Sequence, residues 1–371
     1  MQHSAHQAYL NTRVSAMATR LFAPGTLATL AHRPLEELAK TFGLTAALDS
    51  QLPVKTRSRA VEQALIKTLL SELRILILPM AAIERTLVLD WGRHYALSNL
   101  KTLIRGKLFD LDRKEIAANL YELPPNLRLP QQDQLFQAEN VLELLRQLEG
   151  GPYSIIARQA REVYERKHEP FALEAAIDQR YLTGLVREIA PFEATGAHSL
   201  RHLIGAVLDR VDILWLLRFR FSYKLSPSET FFQLVPSLGR MHRDRLLALV
   251  NLGTFAQVLA ALPAPLDAKL AGSLDLVDVQ RRLNAHVREE ARQVISRGHS
   301  GVARALAYLI QREQDLLALF SLFQGRLLEL PTELVEIAIE VANPRCPMNT
   351  GRATRAMDNA TLSPSRHPSQ G

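Results

Sequence analysis

An all-α fold is predicted for this chain, and three features of its 371 residues predict it. Leu and Ala dominate the composition, and apolar residues recur three or four positions apart. Alternating β-branched runs are scarce, so no strand is needed to account for the pattern. With 47% hydrophobic and 22% charged residues the chain can bury a core and is not wholly disordered. Its length exceeds what one hydrophobic core usually spans, which predicts two or three helical units.

At the start of the chain no Lys or Arg precedes Arg13 and no apolar stretch resembles a signal peptide. Breaks then follow at Pro24-Gly25, Pro124-Pro125, Pro191, Ser226-Pro227, Pro263 to Pro265 and Pro331, so helices are joined by short connections. The best candidate for a membrane segment, Ile75 to Ile83, is interrupted by Pro79 and bounded by Arg74 and Glu84. It falls far short of the ~20 residues needed to cross a bilayer, so any membrane association is expected to be peripheral. Between Asp133 and Glu149, Leu135, Ala138, Leu142, Leu145 and Leu148 share one face, while Gln137, Glu143, Arg146 and Gln147 lie elsewhere. One helix is expected there, ended by Gly150, Gly151 and Pro152.

The chain also repeats itself at a spacing of roughly a hundred residues, well beyond short-period solenoids. Asn99, Leu100, Leu103, Ile104 and Arg105 match Asp212, Ile213, Leu216, Leu217 and Arg218, and match again Asp315, Leu316, Leu319, Phe320 and Ser321. Each copy reads as a long helix, a sharp turn and a short helix. Asp112 with Glu115, and Ser226 with Glu229, fit capping boxes at the short helices, and Leu330, Pro331, Thr332 and Glu333 form a looser third start. The repeat predicts three subdomains related by pseudo-threefold symmetry: 1–120, 121–230 and 231–342. Residues 343–371 are rich in Pro, Ser, Thr, Asn and Arg and poor in apolar residues, which predicts a disordered tail.

Charge and motifs exclude several functions. The tail's Arg345, Arg352, Arg355 and Arg366 against Asp358 supply +3 of the net +7, leaving +4 for the body. Cations and carboxylates are interspersed there rather than gathered on a face, so a nucleic-acid partner is not expected. The single cysteine, Cys346, makes no internal disulfide and fits a reducing compartment. There is no phosphate loop, dinucleotide fingerprint or nucleophile elbow. His198 and His202 lie four apart without a third ligand, so surface or capping roles are expected and no metal or cofactor. Glu72, Glu84 and Glu115 read as solvated helix faces, and Trp91 and Trp215 as core or lobe contacts. No catalytic residue is assigned. Arg105, Lys107, Arg218, Arg220 and Arg326, near the breaks, are candidate partner contacts, with dipole-favoured helix ends as the competing reading.

Taken in order, these residues resemble one family, the C subunit of bacterial and archaeal V/A-type ATPases, called the d subunit in eukaryotic vacuolar enzymes. Tyr9, Leu10, Asn11, Arg13 and Val14 resemble its opening pattern, followed by Leu35, Leu38 and Ala39 of a first short helical unit. Asn99, Leu100, Lys101, Leu103 and Arg105 resemble its Asn-Leu-Lys signature. Ala305 to Tyr308, Arg312 to Glu313, and Leu330, Pro331, Val335 and Glu336, ending at Pro344, resemble its closing segment. The likeness runs from about Tyr9 to Pro344. One departure is visible: the family's acidic residue three positions before the Asn-Leu pair is kept at Asp209 but is Ala96 in the first copy and Arg312 in the third.

The resemblance implies a funnel of three similar helical lobes around an opening. It implies a non-catalytic central-stalk protein that couples a shaft made of the D and F subunits to the membrane proteolipid ring, for ATP-linked H+ or Na+ transport. It would sit peripherally on the cytoplasmic face. The alternative from the residues alone is a generic all-helical protein-interaction scaffold.

Overall fold

A computed structural model describes residues 2–193, 198–237 and 239–342. Among them there are only helices and connections, with no strand, so the chain is all-α as its periodicity predicts. The N-terminal helix α1 (Gln2–Ala18) comes first. Two short helices follow, α2 (Thr26–Ala31) and α3 (Leu35–Thr41), then a hairpin of two long ones, α4 (Val54–Ile77) and α5 (Ala82–Leu108), and the short α6 (Arg113–Ala118). Next are α7 (Gln132–Gln137), α8 (Val141–Leu148) and α9 (Ser154–Lys167), the long α10 (Pro170–Glu193) and α11 (His198–Leu217), and the short α12 (Pro227–Gln233). Last are α13 (Arg243–Val250), α14 (Phe255–Ala260), α15 (Leu266–Leu270), the long α16 (Leu276–Arg297) and α17 (Gly301–Leu327), and the short α18 (Thr332–Val341).

The same succession thus occurs three times: short helices, two long antiparallel helices, a turn, and a short helix. Each first long helix packs on the second long helix of the preceding set. α10 lies on α5, α16 on α11, and α4 on α17, so the pairings close on themselves. Their seams hold the core, in which Trp215, Tyr308, Phe219 and Phe323 are fully buried. Each such side chain contributes about 1.5–3 kcal/mol by leaving water. Trp91 is buried as well.

The helix expected between Asp133 and Glu149 is two helices. The Asn140 side chain accepts from the Glu143 N–H at 3.0 Å and caps α8, which interrupts the first helix at Gln137. The buried face of α8 is therefore Val141, Leu144, Leu145 and Leu148, and Leu142 is only half-buried. Asp112 accepts from the Glu115 N–H at 2.7 Å, and Ser226 and Glu229 exchange bonds at 3.2 and 3.0 Å as a full capping box. Pro331, at the third start, caps with no side chain. The tail and Cys346 lie outside the described residues.

Candidate functional site

The turns that end the three second long helices share one geometry. Asp110, Lys224 and Glu329 adopt left-handed φ of 51°, 56° and 54°. Each is followed by a leucine whose N–H bonds back into the helix: Leu111 to Gly106, Leu225 to Phe219 and Leu330 to Gly325. This is the backbone closure that satisfies orphan helix carbonyls, here built without glycine at the left-handed position. The second turn contains one extra residue, taken up by a π-helical turn over Arg218–Ser222. Behind the turns, Gly106 and Gly325 let Ile116 of α6 and Val335 of α18 approach, and both partners are buried. Phe219, in the π-helical turn that follows α11, fills that place in the second copy.

Two signature residues anchor the chain beyond the turn. Asn99 accepts from the Tyr121 N–H at 2.7 Å and donates to the Tyr121 carbonyl at 2.9 Å. Asp212 accepts from the Val235 N–H at 2.8 Å. Counted from its turn, Asp315 stands one helical turn earlier, at the place of Ala96 and Asp209, and Ala318 occupies the place of Asn99. Asp315 accepts from the Phe22 N–H at 2.9 Å and so ties α17 to the chain leaving α1. Leu316 and Leu319 shift with it, Leu319 taking the place of Leu100; all of Leu100, Leu103, Ile213, Leu216, Leu316 and Leu319 are buried. Burial holds the carboxyls of Asp212 and Asp315 above the usual range and pushes Asp209 up to about 6.

Polar locks cross the seams. Between α5 and α10, Lys101 donates to Asp178 at 2.6 Å, both buried, and Arg105 grips Glu174 with two bonds of 2.6 Å. Between α11 and α16, Arg210 reaches Asn284 at 3.4 Å. Between α17 and α4, Glu72 accepts from the Tyr308 hydroxyl at 2.7 Å, Arg312 at 3.2 Å and Arg20 at 3.2 Å. Glu84 accepts from Gln7 at 2.6 Å and from the Ala81 N–H at 3.1 Å. Glu72 and Glu84 are 3% and 8% exposed, which corrects their reading as solvated faces; of the three acids only Glu115 is exposed. A signal existed for Glu72, because Leu65, Leu69, Glu72, Leu73 and Leu76 form one helical stripe and a carboxylate on it must be paired.

Of the five candidate cations, four bond within the chain. Besides Arg105, Lys107 donates to the Phe136 carbonyl at 2.7 Å, Arg220 to the Val250 and Leu225 carbonyls at 2.9 and 2.7 Å, and Arg326 to the Ala31 carbonyl. Arg218, the counterpart of Arg105 on α11, is half-buried and makes no side-chain bond to the described residues. His198 and His202 are exposed, and no three His, Cys, Asp or Glu among the described residues could hold a metal. No described helix is long and apolar enough to cross a membrane.

Charged groups that join helices, with three alike turns, define an all-helical protein built on a recurring arrangement of helices. The chain belongs to the family of the ATP synthase (C/AC39) subunit, whose model matches residues 10–336. It is similar to the C subunit of the A-type ATP synthase of Methanocaldococcus jannaschii, with 25% identity over 91% of this chain and 87% of that one. The corresponding C subunit of Thermococcus onnurineus is 24% identical over 83% of each chain. That of Desulfurococcus sp. is 24% identical over 90% of this chain and 91% of its own.

Proposed function

We propose that this chain is a non-catalytic central-stalk component of a rotary A/V-type ATPase, joining a shaft made of the D and F subunits to the proteolipid ring on the cytoplasmic face of the membrane. ATP-linked H+ or Na+ transport would pass torque through it. The observation that carries the reading is the closed circuit of long-helix pairings, α4 on α17, α10 on α5 and α16 on α11, in a member of the ATP synthase (C/AC39) family. Three lobes so joined around an opening have no free end, and close-packed seams resist twisting. The lobes are taken as 1–120, 121–230 and 231–342.

Arg218 is the proposed partner contact among the five candidate cations, since its side chain makes no bond to the described residues. The other four act as staples that hold the turns in place. A functional contact with either partner should bury at least ~1,000 Å².

The test is reconstitution of the full chain with the shaft and proteolipid-ring proteins. Stable capture of both, weakened by Arg218→Glu with helix content unchanged, supports the role. Capture of neither by the folded chain, with both partners present and assembled, leaves the general scaffold instead.

A further inference from the structure

Two of the seams differ in the space they leave. Where α4 meets α17, Arg312 is held by Glu72 and the Arg20 carbonyl, and the gap farther along that seam, lined by Leu65, Leu69 and Leu316, is only about 10 Å³. Arg93 is the counterpart of Arg312, since α5 and α17 are both 27 residues long and end in the same turn. Where α10 meets α5, however, a cavity of about 210 Å³ lies beside Arg93, bordered by the start of α9. Arg93 pairs with Asp90 of its own helix. Arg180 and Arg187 also line this cavity and have no carboxylate or other side-chain partner among the described residues.

Three guanidinium groups therefore face one space against two carboxyls, Asp90 and the exposed Glu188. Burial raises the pKa of Asp90 against the opposing pull of Arg93. Tyr153, 3% exposed, lines the same space with a hydroxyl that makes no hydrogen bond to the described residues. Leu97, Ile156 and Leu185 give the same space an apolar wall. A half-buried Arg180 and a buried phenol that find no partner among the described residues, beside a roomy gap, are what a bound oxyanion would complete, because planar guanidinium forks match phosphate oxygens.

We infer that the cavity between α5, α9 and α10 is a binding site for a small phosphate-bearing anion, held by Arg180 and Arg93 with Tyr153 donating its hydroxyl. The apolar wall gives a short organic group on the phosphate a place to lie. Such a ligand would bridge two sets of long helices and add a second fastening to the seam that Lys101–Asp178 and Arg105–Glu174 already join farther along. The inference does not depend on the partners proposed above.

Isothermal titration of the full chain with inorganic phosphate and, separately, with glycerol phosphate tests it, at fixed ionic strength. One saturable site is expected for at least one probe; the tighter probe tells a free ion from an ester. Arg180→Gln should weaken it at least tenfold and Tyr153→Phe several-fold, with helix content unchanged. Arg166→Gln, on the exposed side of α9, should leave it unaltered. No saturable heat with either probe would overturn the inference. So would equal affinity in a folded Arg180→Gln or, should that variant not fold, in Tyr153→Phe.

Discussion

Glu72 offers the sharpest test of how the seams are held. It is 3% exposed and accepts from Tyr308 on α17, Arg312 on α17 and Arg20 beyond α1, so one carboxylate fastens α4 to two other segments. Glu72→Ala removes the acceptor of a fully buried phenol and leaves the Arg312 guanidinium, 11% exposed, without its charge partner. Breaking a buried pair from one side costs about 3–5 kcal/mol, because the stranded charge keeps its desolvation penalty. Arg20 is 53% exposed, so Arg20→Ala should cost under about 1 kcal/mol. Removing Glu72 and Arg312 together should cost at least about 1.5 kcal/mol less than the sum of the singles, because the double variant strands no charge. Urea unfolding of the parent and the four variants supplies these free energies, and amide exchange in α1 should quicken in Glu72→Ala. The reasoning is refuted if Arg20→Ala costs as much as Glu72→Ala, or if the Glu72 and Arg312 losses simply add.

Three further outcomes are expected. Gly325→Ala would place a Cβ 2.7 Å from Val335 Cγ2, so overpacking of about 1–3 kcal/mol should outweigh the ~1 kcal/mol gain in helix propensity. The melting temperature should fall and recover with Val335→Ala, and a rise in Gly325→Ala alone would contradict this. Asp212 is an acid whose folded pKa lies well above its unfolded value of 3.8 because burial disfavours the charge, so the folded chain retains its proton as pH climbs. Its contribution to stability is greatest below about pH 4 and declines as pH rises toward the folded pKa; Asp209 behaves alike up to about 6. Asp212→Asn, copying Asn99, should therefore match or exceed the parent at pH 7 and flatten stability measured from pH 4 to 7, and marked destabilisation at pH 7 would count against it. Ser226→Ala deletes the cap of α12 and should cost about 1 kcal/mol in thermal unfolding, with no loss if Glu229 alone suffices.

Much of the fold was legible before any coordinates. Leucines at helical spacing mark α4, α5, α11 and α17, and Ser226 with Glu229 marks the start of α12, because capping and amphipathy are local in origin. The break inside Asp133–Glu149 was equally local, and Asn140 followed three residues later by Glu143 was its sign. The third repeat was placed one turn out. Asp315 looks like Asn99 to a reader of the chain, and only the turn at Glu329 shows that Ala318 holds that place.

What the sequence by itself determined is the helical class, the breaks and the long-helix, turn, short-helix recurrence, since each depends on residues within a few positions of one another. Tertiary structure alone decided which charges are spent. Arg105 and Arg218 are equivalent residues on equivalent helices, yet one is gripped by Glu174 and the other is not. Glu72 finds Tyr308 and Arg312 some 240 residues away. Whether a charge is solvated, paired or open to a ligand depends on what distant chain packs against it, and that is set by the circuit of long helices rather than by neighbours along the chain.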